Sequence, residues 1–242
     1  MRLVLAGTDG SPSGEAALHW AADLAGAMDA ELVVAGVWRP TFAEVSPEVH
    51  DELEEEARVR LEAECRQDDS VNRVRHRCIL LEETGEDDVR RRLLEAADKH
   101  GADLVVVGAP GAGTADKAEL VGSVTHELVH HADRPIAAVP DSTPRPPGTP
   151  HRIVVGVDGS DGDAAAVDWA HDLAERLRAD VSVVVEDDLA PALAEAAVHD
   201  AADLVVVGTS GLGRITKLRL DSNATKAVDD IPLPTVLVPP RH

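Results

Sequence analysis

Residues 102–108 read Ala-Asp-Leu-Val-Val-Val-Gly, and residues 202–208 repeat this heptapeptide without a change. Each copy joins a short, continuously apolar run to a glycine, which is typical of a buried strand followed by a turn. A strand buried on both faces indicates a parallel sheet covered by helices. The repeat therefore predicts two related α/β units within the 242 residues of the chain.

Two further landmarks extend the repeat toward the N-terminus. Gly7-Thr-Asp-Gly-Ser11 returns as Gly156-Val-Asp-Gly-Ser160, and Trp20-Ala-Ala-Asp-Leu-Ala25 returns as Trp169-Ala-His-Asp-Leu-Ala174, both 149 residues later. The heptapeptide returns after only 100 residues, so the second copy is 49 residues shorter between these landmarks. Four prolines at 141–150 favour an extended spacer. We therefore predict a full domain at 1–140, a proline-rich linker at 141–150 and a shortened second copy at 151–242.

Apolar periodicity predicts the order βαβαβαβαβ for the first copy, which indicates a doubly wound parallel sheet with right-handed crossovers. Its strands are predicted at 2–7, 31–37, 73–81, 103–108 and 135–140, and its helices at 14–28 (capped by Ser13), 47–68, 86–100 and 122–132. The second copy is predicted to lack one helix and one strand, with strands at 152–157, 181–186, 203–208 and 234–239 and helices at 162–178, 189–200 and 222–229. This loss costs least where the missing strand lies at a sheet edge.

Charge and cysteine content exclude several classes of function. With 45 acidic and 23 basic residues the net charge is −22, which would repel nucleic acid and anionic membranes. Cys65 and Cys78 make no disulfide framework and have no Cys-x-x-Cys partner, so we expect reduced thiols in the core or on the surface, and the alternative of a redox role has no motif to support it. The N-terminal apolar run is too short for a signal peptide, and no run reaches the ~18 residues of a membrane span. These observations predict a cytoplasmic protein.

The loop after the first copy of the heptapeptide is rich in glycine. It reads Gly108-Ala-Pro-Gly111-Ala-Gly113, and Gly122-Ser123-Val124-Thr125 then opens a predicted helix. Glycines allow the close approach of a ligand, and a helix N-terminus presents free N–H groups to phosphate. The alternative is that the glycines only turn the chain.

Two more candidates follow strands that should end at the same sheet edge. The carboxylate of Asp9 could accept a hydrogen bond from a ribose hydroxyl or an adenine amino group, but it could equally close a turn with its own backbone. Val37 could pack on a base, or could be ordinary core. Ligands of such sheets bind at the carboxyl ends of the strands, here after residues 7, 37 and 108.

Together these motifs resemble the universal stress protein family, whose ATP-binding members carry Gly-x2-Gly-x9-Gly-Ser/Thr. The resemblance covers nearly the whole chain as a tandem pair and implies an adenine-nucleotide α-hydrolase-like fold. It implies nucleoside contacts from Asp9 and Val37 and phosphate contacts from the loop. The complete predicted site is Gly7, Thr8, Asp9, Val37, Gly108, Gly111, Gly113, Gly122, Ser123, Val124 and Thr125.

The chain departs from the family pattern in both copies. In the first, ten residues (112–121) stand where the pattern has nine. In the second, nine residues (212–220) are followed by Asp221-Ser222 in place of Gly-Ser. A carboxylate there would repel phosphate and cap the helix itself, so we predict that the second copy does not bind ATP.

The resemblance implies a stress-response regulator that binds ATP, or a related adenine nucleotide, with or without Mg²⁺. Two alternatives stay open: a nucleotide-free scaffold that acts through its surfaces, and an enzyme with slow ATP hydrolysis or autophosphorylation. No catalytic residue and no metal ligand is predicted, since the His126 and His130 pair is better explained by a solvated helix end. The resemblance also implies that the last strands of the two copies pair as an intramolecular pseudo-dimer, and a homodimer of the chain is expected.

Overall fold

The fold alternates strands and helices through both copies. The computed structural model describes residues 1–38, 46–82, 89–109, 128, 133–141, 149–160, 162–186, 189–209 and 231–240. The described elements are β1 (Leu3–Thr8), α1 (Pro12–Ala27), β2 (Glu31–Trp38), α2 (Pro47–Gln67), α3 (Asp69–Asn72), β3 (His76–Glu82), α4 (Val89–His100), β4 (Leu104–Ala109), β5 (Ile136–Pro140), β6 (Arg152–Val157), α5 (Asp163–Leu177), β7 (Asp180–Val185), α6 (Leu189–His199), β8 (Leu204–Gly208) and β9 (Thr235–Val238).

All nine described strands form one sheet in the order β3-β2-β1-β4-β5-β9-β8-β6-β7. Every neighbouring pair is parallel except β5 and β9. Helices cover both faces because alternate strand residues point in opposite directions: Val4 and Ala6 share a buried cluster with α1, whereas Leu3 and Leu5 share one with α4. The predicted α/β class and doubly wound parallel sheet are confirmed.

The second copy is a shortened version of the first. Strands β6, β7, β8 and β9 and helices α5 and α6 stand at the repeat positions of β1, β2, β4, β5, α1 and α4. No described element of the second copy corresponds to α2, α3 or β3. Because β3 is the outermost strand of the first copy, the predicted loss of a helix and an edge strand is confirmed, and the short α3 has no described counterpart either.

The two copies meet through their last strands. Antiparallel pairing joins Ile136 to Leu237, Ala137 to Val236 and Ala138 to Thr235. Both strands are buried throughout their length. The sheet therefore runs without a break from one copy to the other.

Two details of the local structure differ from the sequence prediction. Ser11, rather than Ser13, caps α1: its Oγ accepts a hydrogen bond from the Gly14 N–H at 3.1 Å, and Pro12 takes the first helical position. The third strand begins at His76 rather than at residue 73, because Asp68 caps the unpredicted α3 by accepting hydrogen bonds from the Ser70 and Val71 N–H groups.

Some predictions fall on residues outside the described ranges, namely the helix at 122–132 apart from the helical and buried Leu128, the helix at 222–229 and most of the linker at 141–150. The division into domains stays a prediction. Within the described ranges, no helix has the length and apolar character needed to cross a membrane.

Candidate functional site

A cavity of about 200 Å³ lies at the carboxyl ends of β1, β2 and β4. The sheet order reverses between β1 and β4, where two neighbouring strands send their connections to opposite sides. Such a switch point opens a crevice in doubly wound sheets. Five of the predicted site residues, Gly7, Thr8, Asp9, Val37 and Gly108, line this one space.

The cavity has an apolar wall and a polar wall. Within the described part of the chain, six residues that the sequence prediction missed also line the cavity: Ser11, Ser13, Gly14, Val89, Leu93 and Val107. The valines and Leu93 offer contact to an apolar ring, and the hydroxyls and the Asp9 carboxylate offer hydrogen bonds. The first turn of α1 lies at the polar wall, where the helix dipole favours an anion. The volume is below the ~300–1,000 Å³ of drug-sized pockets, so the cavity could enclose only part of a drug-sized ligand.

Asp9 closes a turn with its own backbone. Its Oδ1 accepts a hydrogen bond from the Ser11 N–H at 2.9 Å. The equivalent Asp158 in the second copy accepts one from the Ser160 N–H at 3.0 Å. The turn role is thus common to both copies, while the remaining acceptor capacity of the carboxylate is open to a ligand.

Gly108 is required by packing as well as by its place at the cavity. A Cβ on Gly108 would lie 2.5 Å from the carbonyl carbon and 2.6 Å from the carbonyl oxygen of Ser13. The second copy repeats this contact, because a Cβ on Gly208 would lie 2.5 Å from the carbonyl carbon of Gly162. The missing side chain lets β4 and β8 approach the first turns of α1 and α5.

Thr8 links the cavity to α2. Its hydroxyl donates a hydrogen bond to Glu64 Oε1 at 2.5 Å and accepts one from the Gly10 N–H at 3.2 Å. Burial raises the pKa of Glu64, and the carboxylates of Glu15 and Asp9 add to the effect, while the Thr8 hydrogen bond opposes it. The Thr8 hydroxyl is therefore already engaged within the protein.

The second copy fills the equivalent polar wall with its own carboxylate. Asp163 stands at the repeat position of Gly14. Its Oδ2 accepts a hydrogen bond from the Gly159 N–H at 2.7 Å, and its Oδ1 accepts one from the Ser160 hydroxyl at 3.2 Å. Groups that could face an anionic ligand are thus satisfied internally, and the carboxylate would repel phosphate.

The apolar wall of the second copy also closes in. Leu189 stands at the repeat position of Val89 and is 2% exposed. A Cβ on Gly156 would lie 3.1 Å from Leu189 Cδ1 and 3.0 Å from Leu193 Cδ1, whereas the three nearest atoms at Gly7 belong to Leu93 and Val107. Leu189 therefore adds a contact at the strand glycine of the second copy, whereas no atom of Val89 is among the three nearest to Gly7.

The remaining predicted site residues lie outside the described ranges: Gly111, Gly113, Gly122, Ser123, Val124 and Thr125. Asp221 and Ser222 do so as well. Asp163 and Leu189 are the informative residues that the sequence prediction missed. The repeat alignment carries the signal for both, since it sets Asp163 against Gly14 and Leu189 against Val89.

No group of three or more His, Cys, Asp or Glu side chains in the described part of the chain could hold a metal ion. The fold and the cavity thus define a tandem, doubly wound α/β protein whose candidate site lies at the switch point of its first copy.

Comparison with known proteins agrees with this class. A sequence profile of the universal stress protein family matches residues 1–140 and 179–239. A universal stress protein of Mycobacterium tuberculosis (strain H37Rv) is 41% identical over 90 residues, which cover 36% of this chain and 28% of that protein. One from Mycolicibacterium smegmatis is 28% identical over 183 residues, covering 74% of this chain and 61% of that protein. The chain thus spans less than two thirds of the length of these relatives.

A solved universal stress protein from Archaeoglobus fulgidus superposes with a TM-score of 0.75 at 18% identity, covering 98% of each chain. At this identity the match supports the fold alone. Because the family profile covers most of the sequence, the chain belongs to the universal stress protein family.

Proposed function

We propose that this chain is a stress-response regulator that binds ATP, or a related adenine nucleotide, in its first copy only. The observation that carries the proposal is the contrast between the copies at one repeat position. Gly14 lines a cavity in the first copy, whereas the carboxylate of Asp163 in the second copy accepts hydrogen bonds from Gly159 and Ser160 in the preceding turn.

The lining of the cavity supports an adenine nucleoside. Val37, Val89 and Val107 can pack on a flat apolar ring, and Asp9 can accept a hydrogen bond from a hydroxyl or an amino group. The described lining contains no Lys or Arg, so phosphates would rely on backbone N–H groups, with or without Mg²⁺. Gly111, Gly113, Gly122, Ser123, Val124 and Thr125 remain the proposed phosphate ligands.

The direct test is mass spectrometry of any ligand released from the purified chain, followed by calorimetric titration with ATP. We expect saturable binding by the wild type and weakened binding by Gly111→Val, because a side chain in the glycine loop would block the phosphates.

Absence of binding by the wild type would overturn the proposal and leave the second candidate, a nucleotide-free scaffold. The engagement of both Thr8 and Asp9 in internal hydrogen bonds favours that candidate. Steady ATP turnover would instead indicate the slow hydrolase or autophosphorylation.

The proposal extends to the assembly of the copies. We propose that they form an intramolecular pseudo-dimer, which the register of β5 and β9 supports. Ala137 opposes its own repeat counterpart, Val236. On either side, Ile136 opposes the counterpart of Ala138, and Ala138 opposes the counterpart of Ile136. This is the register that a local twofold axis requires.

We also propose that two chains associate through β7. It is the edge strand of the described sheet on the side of the second copy, and its Val183 and Val185 are 47% and 69% exposed. A second copy of the chain could add its own β7 to this edge, since an exposed edge strand presents unpaired backbone groups and apolar side chains to such a partner.

A further inference from the structure

The two cysteines, which are 13 residues apart in the sequence, lie side by side. Cys65 is on α2 and Cys78 is on β3, and their Sγ atoms are 2.7 Å apart. Both are free thiols in this structure. A disulfide bond needs about 2.05 Å between the sulfurs, so only a small approach separates the pair from a covalent bond.

The surroundings of the two thiols give them different roles. Cys65 is 2% exposed, whereas Cys78 is only partly buried, so an oxidant reaches Cys78 more readily. The hydrogen bond from Cys65 lowers the pKa of Cys78. The same hydrogen bond and burial raise the pKa of Cys65. The accessible sulfur is therefore also the one that ionises first, which is the arrangement of an attacking thiol beside a resolving thiol.

We propose that Cys65 and Cys78 are a redox modification site that closes into a reversible disulfide when the protein meets a hydroperoxide. The Cys78 thiolate attacks the peroxide, the O–O bond breaks, and Cys78 becomes a sulfenic acid while the leaving oxygen takes up a proton. Cys65 sulfur then attacks Cys78 sulfur, the S–O bond breaks, and hydroxide leaves with the Cys65 proton as water. Two thiols are oxidised and one hydroperoxide is reduced, and an external dithiol then reduces the disulfide to two thiols while becoming a disulfide itself.

The position of the pair sets the consequence of oxidation. The disulfide would tie α2 to β3, the edge strand of the first copy, and both elements belong to the segment that the second copy lacks. The oxidised chain should therefore resist local opening of this edge more than the reduced chain does, because a cross-link removes conformations from the opened state.

Tryptic mapping of the full chain tests the proposal directly. Trypsin cuts after Arg60, Arg66, Arg77 and Arg90, so the two cysteines fall in the separate peptides 61–66 and 78–90. After treatment with hydrogen peroxide and blocking of free thiols, we expect the two peptides to migrate as one linked species that dithiothreitol separates. The protein should stay unlinked to other chains, and titration of free thiols should fall from two to none.

Matched single variants assign the two roles. In Cys65→Ser the sulfenic acid should persist on Cys78 and react with dimedone, whereas Cys78→Ser should react far more slowly with peroxide. Cys65→Ala serves as a second variant if the serine disturbs folding, which circular dichroism monitors. Unlinked peptides after oxidation of the wild type, or links only between different chains, would overturn the proposal. This test does not depend on nucleotide binding.

Discussion

At Gly108 the main chain of β4 lies against the first turn of α1, and a Cβ would lie 2.5 Å from a backbone atom of Ser13. Rigid backbone cannot move aside as a flexible side chain can. A glycine that looks like part of a ligand loop is therefore also a packing requirement, and its presence alone does not indicate binding.

Gly108→Ala should destabilise the protein by about 2–3 kcal/mol, because the added methyl group overpacks a backbone contact. Gly7→Ala is the matched control, since its Cβ would meet the movable tip of Leu93 at 3.1 Å. We expect that control to cost about 1 kcal/mol or less. Urea unfolding followed by circular dichroism measures both, and equal costs would contradict the explanation.

Glu64 predicts a dependence of stability on pH. Because burial raises its pKa, the folded state favours the protonated carboxyl. As pH rises from the ordinary glutamate value through the raised folded value, the wild type loses stability that Glu64→Gln does not lose. The variant keeps an acceptor for Thr8. The free energy of unfolding of the variant minus that of the wild type should therefore be larger at about pH 7 than at about pH 4, which is near the ordinary pKa of glutamate. A stability difference that does not change with pH would rule this out.

At the scale of the elements, the loss of α2 and β3 exposes β7. Val183 is 47% exposed, whereas Val34, its counterpart on β2, is fully buried. The same strand position is therefore core in one copy and surface in the other. The charged Asp180 begins β7, but the side chains of Val183 and Val185 later in the strand are apolar and accessible.

Val185→Lys should shift the chain from dimer to monomer, because a charge on the apolar edge opposes strand pairing. Val59→Lys is the control, since Val59 is 52% exposed on α2, away from this edge. Light scattering after gel filtration gives the mass of each. A wild-type monomer, or a dimer that survives Val185→Lys, would disprove association through β7.

The sequence predicts strands more fully than contacts between elements. The repeated Leu-Val-Val-Val run is apolar on both faces, so β4 and β8 are recognisable without a structure. The cap at Ser11 is harder to predict, because Ser11 and Ser13 are equally good capping residues and only the backbone geometry selects one. The thiol pair has no local motif at all, since only the packing of α2 on β3 brings Cys65 beside Cys78.

The role of Asp163 could be predicted from the sequence only in part. The repeat alignment places it opposite Gly14, so the difference between the copies is visible in the sequence. Its meaning depends on where the carboxylate reaches, and the hydrogen bonds to Gly159 and Ser160 provide that information. Half of the candidate site could thus be predicted from strand ends, whereas the closure of the second copy needed three-dimensional contacts.

At the scale of the whole molecule, one sheet spans both copies through β5 and β9. The pairing is short, but both strands are buried, and clusters of buried side chains extend from the first copy to the second. The two copies should therefore depend on each other for stability.

The full chain should unfold in a single transition rather than in two, because separating the copies would expose two buried strand edges. Val236→Asp places an unpaired charge at the centre of the pairing and should destabilise the whole chain by about 3 kcal/mol or more. Urea unfolding checks both expectations, with the fluorescence of Trp20 reporting on the first copy and that of Trp169 on the second. Single-tryptophan variants separate the two signals. Transitions that do not coincide would contradict the prediction.

The central claim is that only the first copy binds a nucleotide, and a pair of matched variants tests it most directly. Asp9→Asn and Asp158→Asn remove the same charge from the same turn, and each keeps an acceptor for its backbone N–H. Calorimetric titration with ATP should give one site per chain. Asp9→Asn should weaken binding about tenfold, the equivalent of about 1.4 kcal/mol, because a hydrogen bond to a charged group is lost. Asp158→Asn should leave the affinity and the stoichiometry unchanged. Two sites per chain, or equal effects of the two variants, would contradict the account.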